Sequence, residues 1–139
     1  MQLKTIMTPE VERMPKDTSI QEVAQKMKTL DVGMIPVYDG DRLVGMITDR
    51  DITLRVVAEA RDAAKTPAHM IMTPEVVYCF EDQTIEEAAK VMEKHQIRRL
   101  IVLNRDKRLV GIVSLGDFAT DSQSKKAAGE ALSEISKAA

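Results

Sequence analysis

Thr48 and Asp51 stand three residues apart in the run RLVGMITDRD, and Ser114 and Asp117 repeat that spacing in RLVGIVSLGD. A hydroxyl followed three places later by a carboxylate has two uses. At the start of a helix the two side chains satisfy free backbone N–H groups reciprocally, as a capping box. The same pair suits a vicinal diol, because a carboxylate accepts two hydrogen bonds from adjacent hydroxyls while the neighbouring hydroxyl and exposed N–H groups complete the grip. A bare phosphate fits less well, since the carboxylate repels it unless a metal intervenes. The abundant cellular diol is ribose. Gly45 and Gly111 lie three residues before each hydroxyl, where a missing side chain would let a flat group approach the backbone.

These pairs sit inside a repeat that spans most of the chain. MTPEV begins at Met7 and again at Met72, DTSIQEVAQKM (17–27) lies over DQTIEEAAKVM (82–92), and VGMIPVYD (32–39) over IRRLIVLN (97–104). Each copy predicts the same elements. Ile20, Val23, Ala24 and Met27, like Ile85, Ala88, Ala89 and Met92, follow the i, i+3, i+4, i+7 spacing of an amphipathic helix. Ser19 and Thr84 stand at the N-cap positions, with Glu22 and Glu87 placed to complete capping boxes. Two apolar runs follow in each copy, 35–38 with 43–48 and 100–103 with 109–114, joined by polar turns that read as hairpins. A second helix starts after Thr48 and after Ser114, so each pair joins a strand to a helix at the edge of a sheet, a favoured place for ligands. Residues 61–74 form a Pro-punctuated connector, and 123–139 predict a tail helix with Ala128, Leu132 and Ile135 along one side. The division expected is 1–65 for the first repeat, 66–121 for the second and 122–139 for the tail. Half of such a chain buries too little surface alone, so the two α+β repeats are expected to pack as a pseudo-twofold pair.

Composition narrows the function. At 139 residues the chain holds one domain or two very small fused units. Aromatics are 3% with no Trp, and the net charge is −2. Neither stacking platforms nor a general basic field is available, which argues against a nucleic-acid partner. No apolar run approaches the ~20 residues of a membrane span, so no membrane is expected. Cys79 is the sole cysteine, which excludes an internal disulfide and favours a reducing compartment. The expectation is a cytoplasmic protein.

Taken together, GMITDRD, GIVSLGD, VGMIPV, IRRLIV and the two MTPEV segments resemble a cystathionine-β-synthase (CBS) domain pair, also called a Bateman module, over residues 3 to about 120. The resemblance implies β-α-β-β-α repeats that bind adenosine nucleotides such as AMP, ADP or ATP between them and assemble as homodimers. It also implies two sites. Ser114 and Asp117 would hold one ribose with Thr18 of the other repeat. Thr48 and Asp51 would hold the second, with Gln83 standing where Thr18 stands. Phosphate would fall to Arg98 and Arg99, with Arg50 as a further candidate. The first repeat carries Gly33 and Met34 in the places of those two arginines, so the sites are not equivalent.

Plainer readings stand beside these. Arg98 and Arg99 also fit a solvated strand start. Val11, Val76, Met14 and Met34 fit either an adenine slot or ordinary core. His95 suits a helix C-terminus, His69 lacks partners for a metal, and Cys79 reads as a small buried apolar residue. An enzyme needs a nucleophile or a general acid–base with an orienting partner, and neither His nor Cys79 supplies one. The expected function is therefore a regulatory nucleotide sensor acting in trans on a separate effector protein. The alternative is a structural or dimerisation module with no ligand.

Overall fold

The computed structural model describes residues 1–9, 11–121 and 124–137. In chain order the elements are β1 (Thr8–Pro9), β2 (Met14–Pro15), α1 (Ile20–Leu30), β3 (Met34–Asp39), β4 (Arg42–Thr48), α2 (Asp49–Ile52), β5 (Tyr78–Phe80), α3 (Ile85–His95), β6 (Arg99–Leu103), β7 (Leu109–Ser114), α4 (Leu115–Thr120) and α5 (Lys125–Ser136). A π-helical stretch, Thr53–Val57, continues α2, and short 3-10 turns occupy Leu3–Thr5 and Ala68–Met70. The fold is mixed α+β, with one sheet in the order β1-β7-β6-β5 and one in the order β2-β3-β4.

The two repeats build these elements by the same local rules. Both long helices start on a hydroxyl: the Ser19 side chain accepts from the Glu22 N–H, and the Thr84 side chain accepts from the Glu87 N–H. Only Thr84 completes the box, with the Glu87 carboxylate accepting from the Thr84 N–H; at Ser19 no return bond from Glu22 is formed, contrary to expectation. Both helices end on a left-handed residue, Asp31 (φ 55°) and Gln96 (φ 54°). Each buries the predicted stripe, Ile20, Val23 and Met27 on α1 and Ile85, Ala88, Ala89 and Met92 on α3. In both hairpins the register shifts at the same repeat position, between Val37 and Tyr38 and between Val102 and Leu103.

The chain divides into two compact units, Glu12–Val76 and Met1–Val11 with Val77–Ala139. The lead-in segments are exchanged across the boundary expected at residue 65. Residues 1–11, read from the sequence with the first repeat, pack on the second. Thr8 and Pro9 pair with Ile112 and Gly111 of β7, and the Leu3 N–H donates to the Gln83 carbonyl. Residues 66–76, read with the second repeat, pack on the first: Thr73 and Met46 exchange both backbone hydrogen bonds, and the Ala68 N–H donates to the Thr18 carbonyl. The physical cause is burial. Leu3 is fully enclosed among Ile85, Met92, Leu100 and Phe118, whereas Ala68 and Ile71 close the cluster of Ile20, Val23, Ile35 and Ile47.

The glycines of the signature serve this contact. A Cβ on Gly45 would lie 2.6 Å from the Met72 Sδ and 2.9 Å from the Thr73 carbonyl oxygen; on Gly111 it would lie 2.6 Å from the Met7 Sδ and 2.9 Å from the Thr8 carbonyl oxygen. The lead-in backbone, rather than a flat ligand group, occupies the space the glycines leave. A methionine side chain can move aside, but a carbonyl held in a ladder cannot. Gly45→Ala and Gly111→Ala are each expected to destabilise the protein by ~1–3 kcal/mol, the range of overpacking in a filled interior. Urea denaturation checks this, and an unchanged midpoint for either variant contradicts the packing.

The tail helix α5 packs on α3 and α4. Its buried face is Ala128, Ala131 and Ile135, while Leu132 is exposed. Leu132 therefore leaves the predicted stripe, and Ala131, one residue earlier, takes its place against the core.

Candidate functional site

Both hydroxyl–carboxylate pairs form complete capping boxes at strand–helix junctions. At the end of β7 the Ser114 N–H donates to the Asp117 Oδ2 at 2.8 Å, and the Asp117 N–H donates to the Ser114 Oγ at 3.1 Å. At the end of β4 the Thr48 N–H donates to the Asp51 Oδ2 at 2.9 Å, and the Asp51 N–H donates to the Thr48 Oγ1 at 3.1 Å. One carboxylate oxygen of each aspartate is thereby fixed. Each carboxylate has about four acceptor positions, so capping leaves most of its capacity available at a place the cap has already oriented. Capping and diol recognition are compatible uses of one side chain.

The junctions differ beyond this. The Asp117 Oδ1 makes no hydrogen bond or ion pair among the described residues. The Asp51 Oδ1 lies 3.7 Å from the Arg55 guanidinium, whose Nη1 also donates to the Ile71 carbonyl at 2.7 Å. Arg55 thus ties the carboxylate to the lead-in segment 66–76. The sequence reading passed it over, although an Asp–Arg pair at i, i+4 on a helix is a legible charge pattern.

The strand register brings Arg98 and Arg99 to the second junction. Arg99 pairs with Ser114 across β6 and β7, and the Leu115 N–H donates to the Arg98 carbonyl at 2.8 Å. The same register in the other unit places Met34 opposite Thr48, with the Asp49 N–H donating to the Gly33 carbonyl at 3.0 Å. Equivalent backbone positions therefore carry Arg98 and Arg99 in one unit and Gly33 and Met34 in the other. Arg50 is exposed on the first turn of α2. Met34 is buried, while Val11 and Val76 are half-buried and belong to different units.

Thr18 and Gln83, at equivalent repeat positions, also differ. The Thr18 hydroxyl has no hydrogen bond among the described residues, its backbone alone being engaged. Both ends of the Gln83 amide are committed: Oε1 accepts from the Phe80 N–H at 2.8 Å and Nε2 donates to the Glu87 carboxylate at 3.1 Å. Thr18 falls in the unit of Thr48 and Asp51, and Gln83 in that of Ser114 and Asp117.

Cys79 is buried, and that burial, with a smaller push from Glu87, raises its thiol to about 11. It is protonated at neutral pH and inert as a nucleophile. His69 faces Asp17 at 3.7 Å on the surface. No helix among the described residues is long and apolar enough to cross a membrane.

Two α+β repeats, each ending a hairpin on one capped strand–helix junction, define a tandem-repeat architecture in which the same potential seat occurs twice. The chain belongs to the CBS domain family, which matches residues 3–58 and 68–122. It is 43% identical over 134 residues to the CBS domain-containing protein YhcV of Bacillus subtilis (strain 168), covering 96% of this chain and 94% of that protein. Among solved structures it is similar to the CBS domain protein PAE2072 from Pyrobaculum aerophilum complexed with AMP, with a TM-score of 0.82 and 26% identity, covering 94% of this chain and 99% of that one. It is likewise similar to the CBS domain pair of protein MJ0100 in complex with 5′-methylthioadenosine and S-adenosyl-L-methionine, with a TM-score of 0.77 and 28% identity, covering 86% and 93% of the two chains.

Proposed function

We propose that this protein is a non-enzymatic regulatory module that binds an adenosine nucleotide through its aspartate junctions and acts in trans on a separate effector protein in the cytoplasm, as a homodimer. One observation carries the reading: each junction presents an aspartate oriented by its own cap, with a second carboxylate oxygen that the cap does not use. The adenosine ligands of PAE2072 and MJ0100 support the choice of nucleoside, since both ligand sets share a ribose. Asp117 is the stronger seat. Its outer oxygen is unengaged among the described residues, and Arg98 and Arg99 stand beside Ser114. At Asp51 the outer oxygen already faces Arg55.

A structural module with no ligand is the second reading, favoured by the fact that both capping boxes are complete by themselves. Native mass spectrometry of the purified protein separates the two. The expected spectrum shows the mass of two chains carrying an adenosine ligand, either co-purified or acquired on adding AMP, ADP or ATP. A single chain of 15.5 kDa at micromolar concentration contradicts the homodimer. A dimer that acquires no nucleotide leaves the structural reading standing and removes the sensor.

A further inference from the structure

We propose that the groove beside the Ser114 junction is a polyphosphate subsite completed by Lys125 of α5, and that it selects nucleoside di- and triphosphates over monophosphates. The proposal rests on the reading that Asp117 and Ser114 seat a ribose. The groove lies wholly within the unit that holds β6, β7, α4 and α5, and its volume of about 600 Å³ is that of a small-molecule site. Ser114, Arg98 and Arg99 line one side of it, and Lys125, Gly129 and Leu132 of α5 line another. Ser114 belongs to both the junction and the groove, so the two are continuous. No acidic side chain lines the groove among the described residues.

The start of α5 supplies the independent observation. The helix opens with Lys125 and Lys126, has no acidic residue in its first turn, and receives no side-chain cap from the described residues. The residue at the cap position, Ser124, instead donates its hydroxyl to the Asp121 carboxylate at 2.6 Å. The N-terminal end of a helix carries partial positive charge and unpaired N–H groups, and lysines there add to that charge rather than offset it. The Asp121 carboxylate held by Ser124 offsets part of this charge, and the two lysines leave the start of α5 with an excess of positive charge. An anion in the groove would meet this excess positive charge at the Lys125 ammonium and the Arg98 side chain together. A monophosphate has one group to place among these cations, whereas a di- or triphosphate extends along them. Lys125 also lies beyond residue 122, where the match to the family repeat stops, so this selectivity would belong to the tail rather than to the repeats.

The test is calorimetry with AMP, ATP and inorganic tripolyphosphate on the full chain, on Lys125→Gln, and on Lys126→Gln, whose side chain does not line the groove. Both lysines are exposed, and equal melting temperatures of the variants confirm an intact fold. The unaltered protein is expected to prefer ATP over AMP. Lys125→Gln is expected to weaken ATP and tripolyphosphate about tenfold, the effect of one lost charge-assisted bond, while AMP changes less than about twofold and Lys126→Gln leaves all three near their starting values. If nucleotides bind but Lys125→Gln leaves ATP unchanged, or weakens AMP equally, the subsite is overturned and the ribose reading survives. If no nucleotide binds while tripolyphosphate does so in a Lys125-dependent manner, the ribose reading falls and the anion groove stands. If neither nucleotide nor tripolyphosphate binds, both are overturned.

Discussion

Asp117→Asn is expected to lower the affinity for an adenosine ribonucleotide about ten- to a hundredfold, corresponding to ~1.5–3 kcal/mol for a hydrogen bond to a charged acceptor. A 2′-deoxy nucleotide should lose a comparable amount on the unaltered protein, because it lacks one of the two hydroxyls the carboxylate would accept from. The substitution isolates charge from architecture. Asn keeps a carbonyl oxygen where the Asp117 Oδ2 accepts from the Ser114 N–H, so the helix stays capped and the melting temperature should move little. Asp51→Asn should cost less, since its outer oxygen already faces Arg55. Thermal shift and calorimetry with AMP, ATP and 2′-deoxy-AMP on both variants read all of this together. Equal binding of ribo and deoxy ligands refutes the diol assignment even where nucleotide binding persists. A larger loss at Asp51 than at Asp117 reverses the ranking of the two seats.

The residues of the candidate site were legible because their signals are local. A hydroxyl, two intervening residues and an aspartate after an apolar run announce a capped strand–helix junction, and the structure forms one in each repeat. The hairpins and the two amphipathic helices were legible for the same reason, being set by spacing within about a dozen residues. The exchange of lead-in segments was not. Met7, Thr8 and Pro9 are identical to Met72, Thr73 and Pro74, and the two glycine contacts have the same 2.6 and 2.9 Å approaches. Sequence therefore specified the contact but not which copy makes it. The roles of Gly45 and Gly111 were misread for the same reason, since nothing nearby in the chain says that a distant backbone fills their space. The π-helical stretch, where the Ala58 N–H donates to the Thr53 carbonyl at 2.9 Å, also has no local signature. Lys125 and Arg55 are a different case. Their charge patterns were visible, but their meaning depended on a groove and on a carbonyl supplied by other segments.

Leu3→Ala is expected to cost ~2–5 kcal/mol, the range for truncating a large aliphatic side chain in a packed core. Here Leu3 is fully buried, and three backbone bonds hold the segment around it: the Leu3 N–H donates to the Gln83 carbonyl, the Lys4 N–H to the Glu81 carbonyl, and the Ile85 N–H to the Met1 carbonyl. Its neighbours Ile85, Met92, Leu100 and Phe118 belong to the repeat whose own sequence begins some seventy residues later. The effect therefore measures the exchange itself. Were residues 1–11 an exposed leader to the first repeat, the same substitution would fall within the ~0.5 kcal/mol typical of surface positions. Ala68 occupies the equivalent place against the other core and is also fully buried, but its side chain is already a methyl group, so the two units should respond unequally to loss of their lead-ins. Urea denaturation of Leu3→Ala, followed by the protection of the β6 and β7 amides in hydrogen exchange, tests both points. A midpoint shift of under about 0.5 kcal/mol, or loss of protection confined to β3 and β4, would overturn the exchanged arrangement. The expected result is early exchange in β6, β7 and α3, with the Ser114 junction loosened along with the sheet that carries it.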